Sequence, residues 1–157
     1  GEKMLAKFLD KILPITEVTC HCDIPCGIYD PASARITGEA VLSMTKKMLE
    51  LNCPDTSNSQ AMASYLNTMS RYASVKEEQA TECKRELLVL WTDYFKPEHL
   101  EKYPDLHNIF WNAAKACSSC KIEVSIDHAN ELMDMIKKIH EIFWETKKRE
   151  VPWITAG

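Results

Sequence analysis

At 157 residues the chain is long enough to bury one substantial core and too short for two. Its 45% apolar and 27% charged residues describe a soluble globular protein, not a disordered or fibrous one. A formal net charge of -4 offers no broad basic face for phosphates, which argues against a nucleic-acid partner.

Residues 1–20 begin with Met4, Leu5, Phe8, Leu9 and Ile12 at helical spacing, a short amphipathic helix that Pro14 stops. Lys3, Lys7, Asp10, Lys11 and Glu17 interrupt any apolar run long enough to act as a secretory signal or to span a bilayer, so no membrane is expected. The run Cys20-His21-Cys22 follows, with Cys26 four residues further on and Pro25 and Gly27 bending the chain around it. Asp30-Pro31 reads as a helix start, an N-cap acceptor followed by proline where its missing N–H is harmless. Ile36, Ala40, Met44, Met48 and Leu51 then recur on one face to about Asn52.

Cys53 to Ser59 is a loop by composition. A second helix is expected from about Gln60 to Tyr94, with Met62, Leu66, Met69 and Tyr72 early and Leu87, Leu90, Trp91 and Tyr94 late; Lys96-Pro97 ends it. Pro104 opens a third, carrying Leu106, Ile109, Phe110, Ala113 and Cys117, and a fourth runs from about Asp127 to Lys147 with Leu132, Met133, Ile136, Ile139, Ile142 and Phe143. The tail from Lys148 to Gly157 is too polar and Pro-broken to extend it, with Trp153 free to pack back. No strand-like alternation, internal repeat or Gly-rich phosphate loop occurs. The expected fold is all-α: an antiparallel four-helix bundle preceded by a metal-binding hook and a short leader helix.

The chemistry concentrates in the hook. Three soft or borderline ligands in succession at Cys20, His21 and Cys22, with Cys26 close by, make a metal site. Structural zinc needs tetrahedral spread, usually from C-x2-4-C pairs drawn from separate places, and consecutive side chains reach one tetrahedral centre only with backbone strain. A square-planar ion fits better, because backbone nitrogens between consecutive residues can themselves become donors; planar N/S coordination points to nickel(II) or copper(II). The odd count of seven cysteines favours metal ligation in a reducing compartment over a disulfide framework, hence a cytoplasmic protein.

The run from His21 to Pro31, together with Leu90 to Pro97, Glu101 to Pro104 and Ile142 to Lys147 in the same order, resembles the nickel superoxide dismutase family over most of the chain from His21 to Lys148. The resemblance implies a precursor. Residues 1–20 form a leader or propeptide removed by a processing peptidase, and residues 21–157 form the bundle domain with its hook at 21–30. One nickel ion per subunit, supplied by a nickel chaperone, is then held by the freed α-amine of His21, the amide nitrogen and thiolate of Cys22 and the thiolate of Cys26, with the His21 imidazole axial. Tyr29 gates small anions over the metal, and Asp23 orders backbone beside the substrate. Lys96 is a candidate for attracting superoxide. The resemblance also implies an antioxidant enzyme that disproportionates superoxide into dioxygen and hydrogen peroxide, assembled as a homohexamer.

At the positions where the family's best-known pattern has a glutamate and an arginine holding the axial imidazole, this chain has Thr37, with Glu39 nearby, and Gln79, with Arg71 in another register. Cys117 and Cys120 read as buried helical thiols and Cys53 and Cys83 as ordinary core or surface residues. His99, His107, His128 and His140 are scattered singly. Two other readings stand beside the enzyme: a non-enzymatic zinc- or copper-binding helical protein using Cys20, Cys22, Cys26 and the Cys117/Cys120 pair, and a helical interaction module with a vestigial hook.

Overall fold

Four long helices form on four stretches of apolar periodicity, three of them begun by a capping side chain. In the computed structural model, which describes residues 26–157, they are α1 (Ala32–Glu50), α2 (Ser59–Val89), α4 (Leu106–Ile122) and α5 (Ile126–Thr146), with a short α3 (Pro97–Lys102) between α2 and α4. Asp30 Oδ1 accepts from the Ala32 N–H at 2.8 Å, Asn58 Oδ1 from Ala61 at 3.0 Å and Ser125 Oγ from His128 at 3.3 Å, each answering an orphan donor of a helix's first turn. At the far end of α4, the buried Lys76 of α2 donates its ammonium protons to the carbonyls of Cys120, Lys121 and Glu123. That cation satisfies carbonyls the helix leaves open and lies at the negative end of its dipole. Burial pushes the Lys76 ammonium below the ordinary lysine range.

Neighbours in the bundle are α1 with α2 and α5, and α4 with α2 and α5, so the four helices close a ring around one core. Phe110, Phe143, Leu87, Leu106, Leu132, Ile136 and Ile139 fill it, all nearly or fully out of solvent. The residues of α1 that reach this core differ from those its pattern marked. Ile36 is exposed and Met44 and Met48 are half-buried, whereas Ala34, Gly38, Val41 and Thr45 are the buried face. Small residues win there because α5 lies close. A methyl group added at Gly38 would stand 2.5 Å from Ile136 Cδ1 and 3.1 Å from Met133 Sδ. The bulkier side chains of α1 are left on its flanks. Leu66 of α2 is likewise exposed.

The end of the second helical segment also departs from a simple α pattern. Leu90–Tyr94 forms a π-helical turn closed by Phe95 N–H on the Leu90 carbonyl at 3.1 Å, a local widening often found beside functional sites. Pro97 then starts α3, which the sequence reading leaves as loop; the His99 Nδ1 accepts from the Lys96 N–H at 2.9 Å and fastens its first turn. The tail after α5 packs back: His140 Nε2 meets the Val151 carbonyl at 2.9 Å, Trp153 lies 5.3 Å edge-on to His140, and the Ala156 N–H reaches Glu39 Oε1 of α1 at 2.6 Å. No helix among the described residues is long and apolar enough to cross a membrane.

Candidate metal centre

The first described residue of the hook is Cys26, an exposed free thiol in a turn. Gly27 has φ +67°, the left-handed region that a side chain would strain, and this turns the chain from the hook into the bundle. Ile28 is exposed, and Tyr29 drops half-buried onto Tyr94, ring centres 5.6 Å apart. Tyr94 is the hub of this end of the molecule. Its ring lies 4.4 Å from Phe143 and stacks on His99 at 5.8 Å, its hydroxyl shares a 2.6 Å hydrogen bond with Thr146, and Lys147 Nζ sits 5.0 Å over its face. A cavity of about 300 Å³ opens here, lined by Gly27, Tyr29, Asp93, Tyr94, Lys96, Glu98 and His99.

Three remote stretches therefore meet at one mouth: the end of the hook, the π turn with α3, and the last turn of α5. Beside them Lys102 Nζ pairs with Glu145 Oε1 at 2.5 Å and ties α3 to α5. The Lys102 ammonium holds the Glu145 carboxyl below the usual carboxylate range, and Glu145 raises Lys102 in return. Burial pushes the neighbouring Tyr103 phenol up.

His21, Cys22 and Asp23 lie outside the described residues. Among the described residues no three His, Cys, Asp or Glu side chains converge on a point that could hold a metal. Cys26 is the one hook cysteine among the described residues, an exposed thiol directly before Gly27 of the cavity lining, and thiolate sulfur suits a planar N/S site. Lys96 is exposed on that rim, where a cation raises the local potential for a small anion. His99 lines it too, and because its Nδ1 accepts from Lys96 N–H, the neutral ring carries its proton on Nε2.

Of the positions offered for holding an axial imidazole, Thr37 and its neighbour Glu39 are bonded elsewhere. Thr37 turns its hydroxyl back to the Ser33 and Ala34 carbonyls at 2.9 and 3.0 Å. Glu39 spends one oxygen on Arg35 at 2.7 Å and the other on the Ala156 N–H, on the side of α1 that carries the C-terminal tail. Gln79 is half-buried and Arg71 exposed on α2. Cys83, Cys117 and Cys120 are buried and Cys53 is exposed, as the pattern implied for the α4 pair. The reading by motifs missed Tyr94, Thr146, Lys147 and His99 as parts of the mouth. The signal was present in the Leu90 to Pro97 and Ile142 to Lys147 segments, whose order along the chain does not reveal that they touch.

Comparison with known proteins gives the same family from sequence and from fold. The family model described as nickel-containing superoxide dismutase matches residues 16–147. The chain is 42% identical over 135 residues to the superoxide dismutase [Ni] of Streptomyces seoulensis, covering 86% of this chain and 94% of that one. It is 40% identical, with the same coverage, to the superoxide dismutase [Ni] of Streptomyces coelicolor. Among solved structures, a native nickel superoxide dismutase superimposes with a TM-score of 0.70 at 40% identity over 81% of this chain and 99% of that one. A partially X-ray-reduced nickel-containing superoxide dismutase does so with a TM-score of 0.71 at 42% identity, over 82% and 100%. The chain belongs to the nickel-containing superoxide dismutase family, and its reaction is the disproportionation of superoxide into dioxygen and hydrogen peroxide with nickel as cofactor.

Proposed function

We propose that the active centre is the hook at 21–30, made after removal of residues 1–20, with His21, Cys22 and Cys26 as the nickel ligands and Tyr29 and Asp23 beside the substrate. The observation that carries this reading is the exposed Cys26, followed directly by left-handed Gly27, which lines one cavity with Tyr29, Lys96 and His99. Cutting the bond between Cys20 and His21 would free an α-amine, so that His21, Cys22 and Cys26 would hold nickel through nitrogen and thiolate sulfur donors. When bound, nickel supplies the one-electron couple, which anionic sulfur and amide donors bring within reach of superoxide.

The chain's own residues do the rest. Cys22 and Cys26 give up their thiol protons on loading, so nickel uptake fails at low pH. The Tyr29 phenol, braced by Tyr94, narrows the approach to small anions. Lys96, with Lys147 behind the Tyr94 ring, offsets the acidic balance of the whole chain and draws superoxide in. Two superoxide anions and two protons become one dioxygen and one hydrogen peroxide. Assembly as a homohexamer is supported by large apolar side chains left on the surface of the single chain, among them Ile36, Leu66, Trp111 and Ile122. A processing peptidase and a nickel chaperone follow from the cleavage and the loading. The free thiols at Cys26, Cys53, Cys83, Cys117 and Cys120 support a cytoplasmic location.

The experiment is expression with nickel followed by intact mass, metal analysis and a superoxide-decay assay. A chain beginning at His21 with one nickel and rapid superoxide decay is expected. An active chain that retains residues 1–20 overturns the ligand assignment.

A further inference from the structure

His99 lines the mouth, and its contacts exceed what the start of a short helix needs. Its N–H donates to the Lys96 carbonyl at 2.9 Å and its Nδ1 accepts from the Lys96 N–H at 2.9 Å, a reciprocal pair that closes the first turn of α3. A glutamate or glutamine ordinarily does that work at the third helical position, because the cap asks only for an acceptor. The imidazole brings two things more. Its plane lies 14° from the Tyr94 ring at 5.8 Å and edge-on to Phe95 at 5.5 Å, so two aromatic neighbours fix its orientation. With Nδ1 used as an acceptor, the uncharged ring carries its proton on Nε2. That nitrogen has no protein partner among the described residues. The enclosed polar atoms left unbonded there belong to Tyr103, His128 and Trp144, so His99 Nε2 opens on solvent, in a side chain that lines the cavity.

The rest of the lining gives such a donor something to do. Asp93 and Glu98 set two carboxylates against the single ammonium of Lys96, so charge alone does not hold an anion here. Tyr94 has no proton to offer: the Thr146 hydroxyl donates to the Phe143 carbonyl at 2.6 Å, and the Tyr94 phenol therefore donates to Thr146 Oγ1 at 2.6 Å. The side-chain donors left in the lining are the Lys96 ammonium, the Tyr29 phenol and His99 Nε2–H.

We propose that His99 Nε2–H is a binding donor for superoxide at the mouth. Lys96 attracts the anion over distance, and the imidazole receives it and directs it past Tyr29. This role rests on the hook at 21–30 being the active centre. The two residues act by different physics: the lysine field is screened by salt, whereas an uncharged donor held by the backbone and by two rings works only at hydrogen-bond range. His99 transfers no proton. Its bond to the anion forms and breaks with the ring unchanged, and the reciprocal pair with Lys96 keeps the lysine backbone and the donor in register.

The test has two arms. In the first, the imidazole nitrogens of the nickel-free full chain are followed by nitrogen-15 magnetic resonance while azide, a small monovalent anion, is added. His99 is expected to show a bare Nδ1 and a protonated Nε2, and the Nε2–H resonance is expected to move progressively with azide. A proton on Nδ1, or an Nε2–H indifferent to azide, overturns the proposal. In the second arm superoxide decay is measured on nickel-loaded protein with His99→Gln, whose side-chain oxygen still accepts from the Lys96 N–H. The thermal midpoint is expected to stay at the wild-type value while kcat/KM falls by about twofold to tenfold, the range of one neutral hydrogen bond. Unlike the deficit of a lysine variant, this one is expected to be equal at low and high salt. A His99→Gln chain with wild-type kcat/KM makes His99 a helix cap and nothing more, and a deficit that vanishes in salt makes it a charge effect; either overturns the proposal. A loaded wild type without superoxide decay overturns the hook assignment instead, and the azide titration then decides the donor by itself.

Discussion

The bundle core and the hook mouth are built on opposite terms. In the core, residues a few positions apart along one helix do the work, as Ala34, Gly38, Val41 and Thr45 do on α1. At the mouth, Gly27 and Tyr29, Asp93 to His99, and Thr146 to Lys147 come from three parts of the chain and meet around one tyrosine ring. The core is apolar and close-packed; the mouth is polar and open, with the exposed Cys26 next to its Gly27 along the chain. Stability and chemistry are therefore separable in this molecule. Damage to the first should lower melting temperature with the ligand set intact, and damage to the second should remove activity with the fold intact.

The largest effect expected from that division is at the ligands. Cys22→Ser or Cys26→Ser should bring superoxide decay down to the uncatalysed rate and abolish nickel binding, with an unchanged far-ultraviolet circular dichroism spectrum. Loss of helicity in Cys26→Ser would break the comparison, since Cys26 is exposed.

Next in size are two changes in the core. Gly38→Val places branched carbons against Ile136 and Met133, and overpacking of this kind costs about 1–3 kcal/mol. At roughly 2–4 °C per kcal/mol for a chain of this size, thermal denaturation should show it clearly. Lys76→Met leaves carbonyls of Cys120, Lys121 and Glu123 without their donor, a loss of about 1–3 kcal/mol. Both variants, once loaded, should keep their activity per nickel.

How much of this was legible in the sequence follows from the same contrast. The four long helices were readable because Asp30-Pro31 marks the start of α1 and apolar positions, most clearly those of α5, recur at helical spacing. The buried face of α1 was misread because apolar size and burial part company where two helices approach closely: Gly38 is inside and Ile36 outside. Helix α3 was missed because six residues carry too little periodicity, and its first turn depends on the His99 ring accepting from Lys96. Of the site, the cysteines and Tyr29 stood out by spacing and resemblance. Tyr94 and Lys147 did not, since their role comes from contacts between distant segments. The axial partner suggested by counting, Thr37 or Glu39, meets hydroxyl and carboxylate groups already bonded elsewhere.

Smaller effects sharpen the account of the mouth. Lys96→Met should lower kcat/KM by about threefold to tenfold at low ionic strength, and the deficit should shrink in salt, where the Debye length falls to about 3 Å at 1 M. A deficit indifferent to salt would make Lys96 a structural residue. The smallest effect is expected at the Lys102–Glu145 pair, whose side chains are both exposed. Glu145 is held below its ordinary value, so its contribution is present above the usual glutamate range and is lost as pH falls through the lowered one. Lys102 is raised, so its contribution is lost only as pH rises through that raised value. Glu145→Gln should leave the neutral-pH melting temperature nearly unchanged and flatten the acid limb slightly.

The most direct test of the central claim is low-temperature electron paramagnetic resonance of the purified, nickel-loaded mature chain beside its Cys26→Ser variant. The account predicts a rhombic Ni(III) signal in the chain that starts at His21, absent from the variant, in a sample that accelerates superoxide decay. A processed, nickel-bearing chain with no such signal and no acceleration would contradict it.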